Sequence, residues 1–266
     1  MHQTVASITG VAGSTVNIGP FSRLTVDGSA TTTFDGVVAG TFGSLVKSGS
    51  GTQILGGVNT YTGNTTINAG TLILADNAHN GSTSGTILAT MNIGGGTASF
   101  GAINMAASTG GGTSAATGTL NLTGGTTTLN GDIIKVGGGT GTTTANLNLN
   151  GASAILDMTG KNITSLTGIT YTNGLLKNLG IVNTGMTLAG TGSRVFDQAT
   201  GISGIIQGAI TGTGLGLTKQ GVGTLNLAGA NTYDGQTAIT AGRLQFAKQA
   251  SLYNSATGNW TAANIN

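Results

Sequence analysis

The sequence predicts an all-β fold of the parallel β-solenoid class, on three observations. The chain has 50 glycines, a single proline, no cysteine and only 6% charged residues, whereas charged residues make up roughly 25% of ordinary globular chains. Short segments in which apolar and polar residues alternate follow one another along the whole chain. A long phrase of the sequence also occurs twice. Together these features favour stacked short strands over helices or a closed barrel.

The composition favours strands and disfavours disorder. All seven acidic residues are aspartates, so the glutamate-rich segments typical of helices are missing, while threonine, valine and isoleucine suit strands. Hydrophobic residues make up 38% of the chain, and disordered chains combine low hydrophobicity with high net charge. Nine basic and seven acidic residues are spread along the sequence, so nucleic acid is not an expected partner.

The strands are recognised from alternating runs. In residues 119–122 (TLNL) and 145–149 (ANLNL) the leucines fall on one face and the asparagines on the other, as in a strand with one buried face. Turns rich in glycine and asparagine recur roughly every eight to twelve residues. This spacing alone is compatible with a sandwich, a barrel or a solenoid.

The internal repeat decides among these three architectures. Residues 45–74 and 217–246 are identical at 16 of 30 positions with an offset of 172, and the same register extends from 36–93 to 208–265. A sandwich or a barrel closes on itself, whereas a solenoid grows by adding coils. We therefore interpret residues 1–266 as one continuous β-solenoid. At roughly 20 to 25 residues per coil, it would have roughly a dozen coils.

The repeated phrase carries a set of shared residues to which we assign a structural role. Its glycines suit corners, because glycine reaches positive φ without strain, and its asparagine suits a turn. The tyrosine is expected to lie against the coil edge as an anchor, with no role as a ligand site. The shared residues are Lys47, Gly51, Asn59, Thr60, Tyr61, Gly63, Gly70, Lys219, Gly223, Asn231, Thr232, Tyr233, Gly235 and Gly242.

Both copies follow the pattern L-x-K-x-G-x-G-T-x-x-L-x-G-x-N-T-Y-x-G-x-T-x-I-x-A-G-x-L. This pattern resembles the autotransporter-associated β-strand repeat, which is also called the passenger-associated transport repeat. The resemblance implies a right-handed parallel β-helix that is secreted or displayed on the surface of a Gram-negative-type bacterial cell. It also implies a partner outside this chain, an outer-membrane β-barrel translocator. In that family the repeat is thought to help the passenger fold and cross the outer membrane.

Export is also plausible on physical grounds. A chain with few charges and no disulfides can thread a pore in extended form, and coil-by-coil pairing outside would block its return. The sequence contains no apolar run long enough to span a membrane as a helix. No apolar segment follows residues 1–3 as a signal peptide would require.

Catalysis is not expected. General acid–base chemistry needs two carboxylates held close together. Asp132 and Asp157 would meet only if their separation in sequence matched the length of one coil, so two solvated turn aspartates are the favoured interpretation. Arg23, Asp27 and Asp35 lie close in sequence but lack the acidic density of a lyase-like site. His2 and His79 are far apart and have no cysteine partners, so neither zinc nor another cofactor is predicted.

Aromatic residues offer one possible route to sugar binding. The candidates are Tyr61, Tyr171, Tyr233, Tyr253 and Trp260. The phenylalanines are expected to lie mainly in the core, namely Phe21, Phe34, Phe42, Phe196 and Phe246.

The favoured function is therefore a structural segment of a large autotransporter-like passenger, either a stalk or an adhesin scaffold. Two alternatives remain. The chain would be a subunit of an extracellular fibre if copies add end to end through the unpaired edges of the solenoid. It would be a polysaccharide-binding or polysaccharide-degrading β-helix if a groove on its side holds glycans of a host or neighbouring cell surface.

Overall fold

The computed structural model describes residues 1–57, 59–74, 87–106, 116–137 and 141–251. These residues form 27 short strands and one 3₁₀ helix, Gln249–Ser251. Within these ranges no helix has the length and apolar character needed to span a bilayer. The end of the second copy, from residue 252 to 265, and the candidates His79, Tyr253 and Trp260 lie outside the described residues.

Most strands have two to five residues, as the frequent glycine and asparagine turns require. In chain order the first fourteen are β1 (His2–Val5), β2 (Thr15–Asn17), β3 (Arg23–Val26), β4 (Thr31–Phe34), β5 (Val37–Ala39), β6 (Ser44–Lys47), β7 (Thr52–Leu55), β8 (Thr65–Ile67), β9 (Thr71–Leu74), β10 (Ile87–Ile93), β11 (Thr97–Phe100), β12 (Ile103–Met105), β13 (Ala116–Leu122) and β14 (Thr126–Leu129). The others are β15 (Ile133–Lys135), β16 (Thr143–Asp157), β17 (Ile163–Thr164), β18 (Gly168–Lys177), β19 (Ile181–Val182), β20 (Met186–Leu188), β21 (Ser193–Asp197), β22 (Ser203–Ile206), β23 (Ile210–Thr211), β24 (Gly216–Gln220), β25 (Thr224–Leu227), β26 (Thr237–Ile239) and β27 (Arg243–Phe246).

The strands pair in parallel along three faces, so the chain is a β-solenoid, as predicted. The first face stacks β1, β3, β6, β8, β10, β13, β16, β18, β20 and β23. The second stacks β4, β7, β9, β11, β14, β16, β18, β21, β24 and β26. The third contains β2 with β5, and then β12, β15, β17, β19, β22, β25 and β27. The long strands β16 and β18 bend from the first face onto the second, and their mutual register shifts at the bend.

The residues that the structure describes form about ten turns, in keeping with the rough dozen expected for the whole chain, and the coils differ in length. Along the first face, Thr66 is in register with Asn92, and Asn92 is in register with Asn121, so both of these coils exceed the expected length. Elsewhere on the same face Thr170 is in register with Thr187, which makes that coil shorter than expected. The coils of this solenoid therefore do not share one uniform length.

The core is a stack of inward-facing side chains that repeats from coil to coil. In β13 the pattern of burial alternates at every residue, with Leu120 and Leu122 buried and Asn121 facing outward. In the register of the first face, Leu120 lies between Met91 and Leu147 of the neighbouring coils, and both are buried. The alternation predicted for TLNL and ANLNL is thus confirmed.

Candidate functional site

The two tyrosines of the repeat lie in the interior of the solenoid, and not at the coil edge as expected. Tyr61 and Tyr233 are completely buried. The Tyr61 hydroxyl forms a hydrogen bond with Thr65 Oγ1 at 2.7 Å, and the Tyr233 hydroxyl forms the same bond with Thr237 Oγ1 at 2.9 Å. Burial raises the pKa of Tyr61 to about 12, and its bond with Thr65 opposes the rise. No ligand can reach either ring from solvent.

The asparagine of the repeat completes the pairing between neighbouring coils. Asn59 Oδ1 accepts a hydrogen bond from the Val38 amide at 3.0 Å, and Asn231 Oδ1 accepts one from the Ile210 amide at 2.8 Å. Asn59 and Asn231 are buried, so the donors of the previous coil would be left without an acceptor if these side chains were removed. The asparagine therefore replaces a backbone carbonyl at a turn.

The threonine that follows contributes in a different way. The amides of Thr60 and Thr232 donate to the carbonyls of Val38 and Ile210, each at 2.8 Å. Both threonine side chains are exposed. Their role in pairing is therefore carried by the backbone alone.

Each copy also buries a lysine, for which the sequence suggested no specific role. Lys47 and Lys219 are almost inaccessible. Lys47 Nζ donates to the Gly49 carbonyl, and Lys219 Nζ donates to the carbonyls of Gln220 and Gly221, both at 2.7 Å. Burial lowers the pKa of both lysines, while the charges of Asp27 and Asp197 oppose the shift. The ammonium groups therefore hold carbonyls at the corner that follows the strand.

The repeat glycines lie where neighbouring coils come into contact. Gly70 and Gly242 have φ angles of 66° and 70°. An added Cβ would lie 2.1 Å from the Gly49 carbonyl oxygen at Gly70, and 2.3 Å from the Gly221 carbonyl oxygen at Gly242. At the remaining repeat glycines an added Cβ would lie 2.3 or 2.4 Å from backbone atoms of the previous coil, namely at Gly51, Gly63, Gly223 and Gly235. Side chains at these positions would separate the coils.

The two copies occupy different faces of the solenoid. In the first copy β6 lies on the first face and β7 on the second, and Thr60 pairs with Val38 on the third. In the second copy β24 lies on the second face and β25 on the third, and Thr232 pairs with Ile210 on the first. Seven successive parallel pairings along the first face connect β6 to β23. The next strand along the chain is β24, the counterpart of β6 in the second copy, and it lies on the second face. One period of the repeat therefore covers seven turns plus one face.

The structure does not bring the two candidate aspartates together. Asp157 is in register with Thr128 and Lys177 on the second face. Asp132 immediately precedes β15 on the third face, and its carboxylate accepts bonds from the Asn162 amide at 2.8 Å and Asn162 Nδ2 at 3.2 Å. They therefore occupy different columns, because the intervening coil places residue 162, and not residue 157, against residue 132. A paired-carboxylate site is not formed by these two residues.

The other candidates for chemistry are also dispersed. Arg23 begins β3 on the first face, whereas Asp35 follows β4 on the second. Asp27 Oδ1 accepts a hydrogen bond from Ser48 Oγ at 2.8 Å. Among the residues that the structure describes, no group of three or more His, Cys, Asp or Glu side chains is arranged to hold a metal ion.

Two of the five phenylalanines expected in the core are exposed to solvent. Phe34 and Phe196 are in the core as predicted, but Phe21 is 77% exposed and Phe42 is 38% exposed, and Phe246 is half-buried. Tyr171 is buried, and its hydroxyl donates to the Gly174 carbonyl at 2.9 Å. The exposed rings on the described surface are therefore phenylalanines and not the tyrosines considered as sugar-binding candidates.

The fold and the repeated interior residues define a class: a parallel β-solenoid whose copies of one motif are held together by a buried Tyr, Asn and Lys. Residues 45–74 and 217–246 both match the passenger-associated-transport-repeat family, so the chain carries two copies of that repeat. The predicted positions of both copies are confirmed. No curated protein and no solved structure matches the chain.

Proposed function

We propose that this chain is a non-catalytic, structural segment of a secreted or surface-displayed autotransporter-like passenger and serves as a stalk or adhesin scaffold. The observation that carries the proposal is the presence of two passenger-associated transport repeats in one parallel β-solenoid. The functional partner during export would be an outer-membrane β-barrel translocator. The dispersed aspartates support a non-catalytic role.

The contacts of the solenoid suit folding during export. Register partners in neighbouring coils of the first face lie close along the chain, as the pairs Thr170–Thr187 and Asn92–Asn121 illustrate, so each coil can pair soon after it emerges. Solenoid stability is approximately a sum of contributions from neighbouring coils, and folding can propagate from any nucleus. A chain that folds coil by coil outside the membrane would be pulled outward as it folds.

The proposal is tested by displaying the chain between an export signal and a translocator barrel in a Gram-negative host. Surface exposure is measured by external protease and by antibody labelling of intact cells. We expect the wild-type chain to be displayed. The double variant Asn59→Ala, Asn231→Ala should be displayed at a several-fold lower level, because it leaves the Val38 and Ile210 amides without their acceptors.

The matched control is the double variant Thr60→Ala, Thr232→Ala. It changes the adjacent exposed side chains but keeps their backbone bonds to the previous coil, so its display should equal that of the wild type. Failure of the wild-type chain to reach the surface would contradict the proposed function. Equal display of the asparagine variant would contradict a role for the repeats in export.

A further inference from the structure

An exposed aromatic pair lies at the corner between the third and first faces. Phe21 precedes β3 and Phe42 precedes β6, one coil apart. Their rings stack with centroids 5.0 Å apart and planes 6° from parallel. Although the rings face each other, Phe21 and Phe42 remain exposed to solvent and present an apolar surface, the Phe21–Phe42 platform, which burial in the core does not explain.

The backbone at these two positions is unfavourable for phenylalanine. Phe21 has φ of 55° and Phe42 has φ of 59°, in the left-handed region that residues with a Cβ rarely adopt. With the offset of 172, Phe42 corresponds to Gly214, which has φ of 69°. The equivalent turn of the second copy, at another corner of the solenoid, therefore holds glycine at this position, and strained residues that the fold does not require are a guide to function.

An open groove of about 470 Å³ lies beside the platform on the first face. Besides the two rings, its lining includes Arg23, Ser44, Asn64 and Thr66. The groove thus combines an apolar platform with hydroxyl and amide groups.

A second depression, of about 320 Å³, continues along the first face. It is lined by Asn92, Asn121 and Asn148, which form a ladder: Asn121 Nδ2 donates to Asn92 Oδ1 at 2.9 Å, and Asn148 Nδ2 donates to Asn121 Oδ1 at 2.8 Å. Thr66 of the first groove is in register with Asn92 of the second. Each amide has more hydrogen-bonding capacity than the ladder uses, so polar groups remain available at a coil spacing of ~4.8 Å.

We propose that the first face binds a neutral, extended polysaccharide that lies parallel to the solenoid axis. One sugar ring stacks on the Phe21–Phe42 platform, and the hydroxyls of the following sugars bond with the asparagine and threonine side chains. Aromatic stacking combined with a few polar groups is the usual composition of small-molecule sites. The spacing of the coils is comparable to the length of one sugar unit in an extended chain.

Other classes of ligand fit this face less well. Among the described residues that line the two grooves, Arg23 is the only arginine or lysine and none is an aspartate, whereas nucleic acid needs several cations. A peptide that adds as a strand needs an open edge, but β8, β10 and β13 are paired on both sides. A neutral, hydroxyl-rich polymer is the ligand that matches a surface made mainly of amide and hydroxyl groups with a single arginine.

The proposal does not depend on export, because its test uses the purified chain. Affinity gel electrophoresis is carried out in gels that contain hydroxyethylcellulose, xylan or galactomannan as neutral probes, and polygalacturonate as an anionic probe. We expect at least one neutral polymer to retard the wild-type chain. The double variant Phe21→Gly, Phe42→Gly should bind that polymer at least tenfold more weakly, while its melting temperature equals or exceeds that of the wild type.

The control variant Val222→Ser removes another exposed apolar side chain and should bind as the wild type does. If the phenylalanine variant melts at a lower temperature than the wild type, the variant Asn121→Thr serves as the test in its place. Threonine fits this column of stacked residues, as Thr170 shows. We expect Asn121→Thr to bind the neutral polymer several-fold more weakly than the wild type does. The proposal is overturned if no neutral polymer retards the wild type or if polygalacturonate alone does. It is also overturned if the folded phenylalanine variant, or Asn121→Thr in its place, binds as tightly as the wild type.

Discussion

At the scale of single residues, the repeat is held together by polar side chains in the interior. Asn59, Tyr61 and Lys47 are all buried, and each bonds to a neighbouring group. Buried polar groups are tolerated when they are bonded, and removing one partner costs about 1–3 kcal/mol because the other is left unsatisfied. The long apolar stem of the lysine also contributes to packing. The three residues therefore stabilise the solenoid where regular strand pairing is interrupted.

The ionisation of Tyr61 predicts a loss of stability at alkaline pH. Its folded pKa of about 12 lies above its ordinary value of 10, so the native state keeps the proton in this window while the unfolded chain releases it. The ionisation of Tyr61 therefore leaves the free energy of unfolding unchanged below pH 10 and lowers it by about 3 kcal/mol as the pH rises toward 12. We expect the urea midpoint of the wild type to fall across this range more than that of Tyr61→Phe, which cannot ionise.

The buried lysines have the opposite effect on the pH dependence of stability, but this effect is the same in the wild type and in Tyr61→Phe. Burial lowers the pKa of Lys47 and Lys219 below 10.5, so the unfolded chain holds more protons and stability rises with pH as 10.5 is approached. Both proteins keep these lysines, so the difference between their urea midpoints reports Tyr61. Parallel pH profiles for the two proteins would contradict the assignment of a raised pKa to Tyr61.

At the scale of elements, glycine corners allow neighbouring strands to stack. A Cβ added to Gly70 would lie 2.1 Å from the Gly49 carbonyl oxygen, and one added to Gly96 or Gly125 would lie 2.4 Å from the carbonyl oxygen of the preceding glycine in the column. This column runs along the corner that leads into β9, β11 and β14. The close approach of backbone to backbone, in addition to the positive φ, requires glycine there.

The effect of the contact between coils on the free energy of unfolding can be measured separately from the effect of the positive φ angle. Gly70 and Gly214 have nearly the same φ, 66° and 69°, but a Cβ at Gly214 would meet no atom within 4 Å. We expect Gly214→Ala to lower the free energy of unfolding by about 1–2 kcal/mol, the strain of a left-handed residue. Gly70→Ala should cost roughly 1–3 kcal/mol more from overpacking. Urea unfolding measures both, and equal losses would show that the coil contact contributes nothing.

At the scale of the whole molecule, the second copy of the repeat is related to the first by a rotation about the solenoid axis as well as by a translation along it. Because one period of the repeat covers seven turns and one face of three, the second copy presents its motif in a different direction around the axis. Surface features that are tied to the repeat therefore do not line up on one side. The Phe21–Phe42 platform has no counterpart at Gly214, so the proposed glycan site belongs to the first face alone.

The fibre hypothesis predicts self-association. Ile239 is 40% exposed, whereas the corresponding Ile67 is fully buried. If copies add end to end, purified chains at high concentration should form dimers or filaments that are visible by electron microscopy. Ile239→Ser should reduce them, because it removes exposed apolar surface.

The matched control for self-association is Ile181→Ser, since Ile181 is 39% exposed but lies on the third face with strands paired on both sides. This variant should assemble as the wild type does. Strictly monomeric behaviour of the wild-type chain at high concentration would contradict the fibre hypothesis. An equal effect of both substitutions would contradict end-to-end assembly through Ile239.

Local features of the sequence predicted much of the fold and some of the candidate site. The alternation in TLNL correctly marked the buried and outward residues of β13, and the two repeats were found where the family matches them. The sequence did not reveal that Tyr61 points inward or that Phe21 and Phe42 remain exposed. Hydrophobicity alone does not distinguish a corner from a strand, and the left-handed backbone at both phenylalanines is set by the turn between faces.

The sequence by itself determined the strand composition, the solenoid class and the spacing of the two copies, because alternation and residue identity are local properties of the chain. Only the tertiary structure decided which face each copy occupies, which residues meet between coils and where the outward grooves run. The physical reason is that coil length varies along the first face, from the short coil between Thr170 and Thr187 to the long one between Asn92 and Asn121. Each such difference moves the next residues by whole positions relative to the coil above, so that Asp132 meets Asn162 and not Asp157.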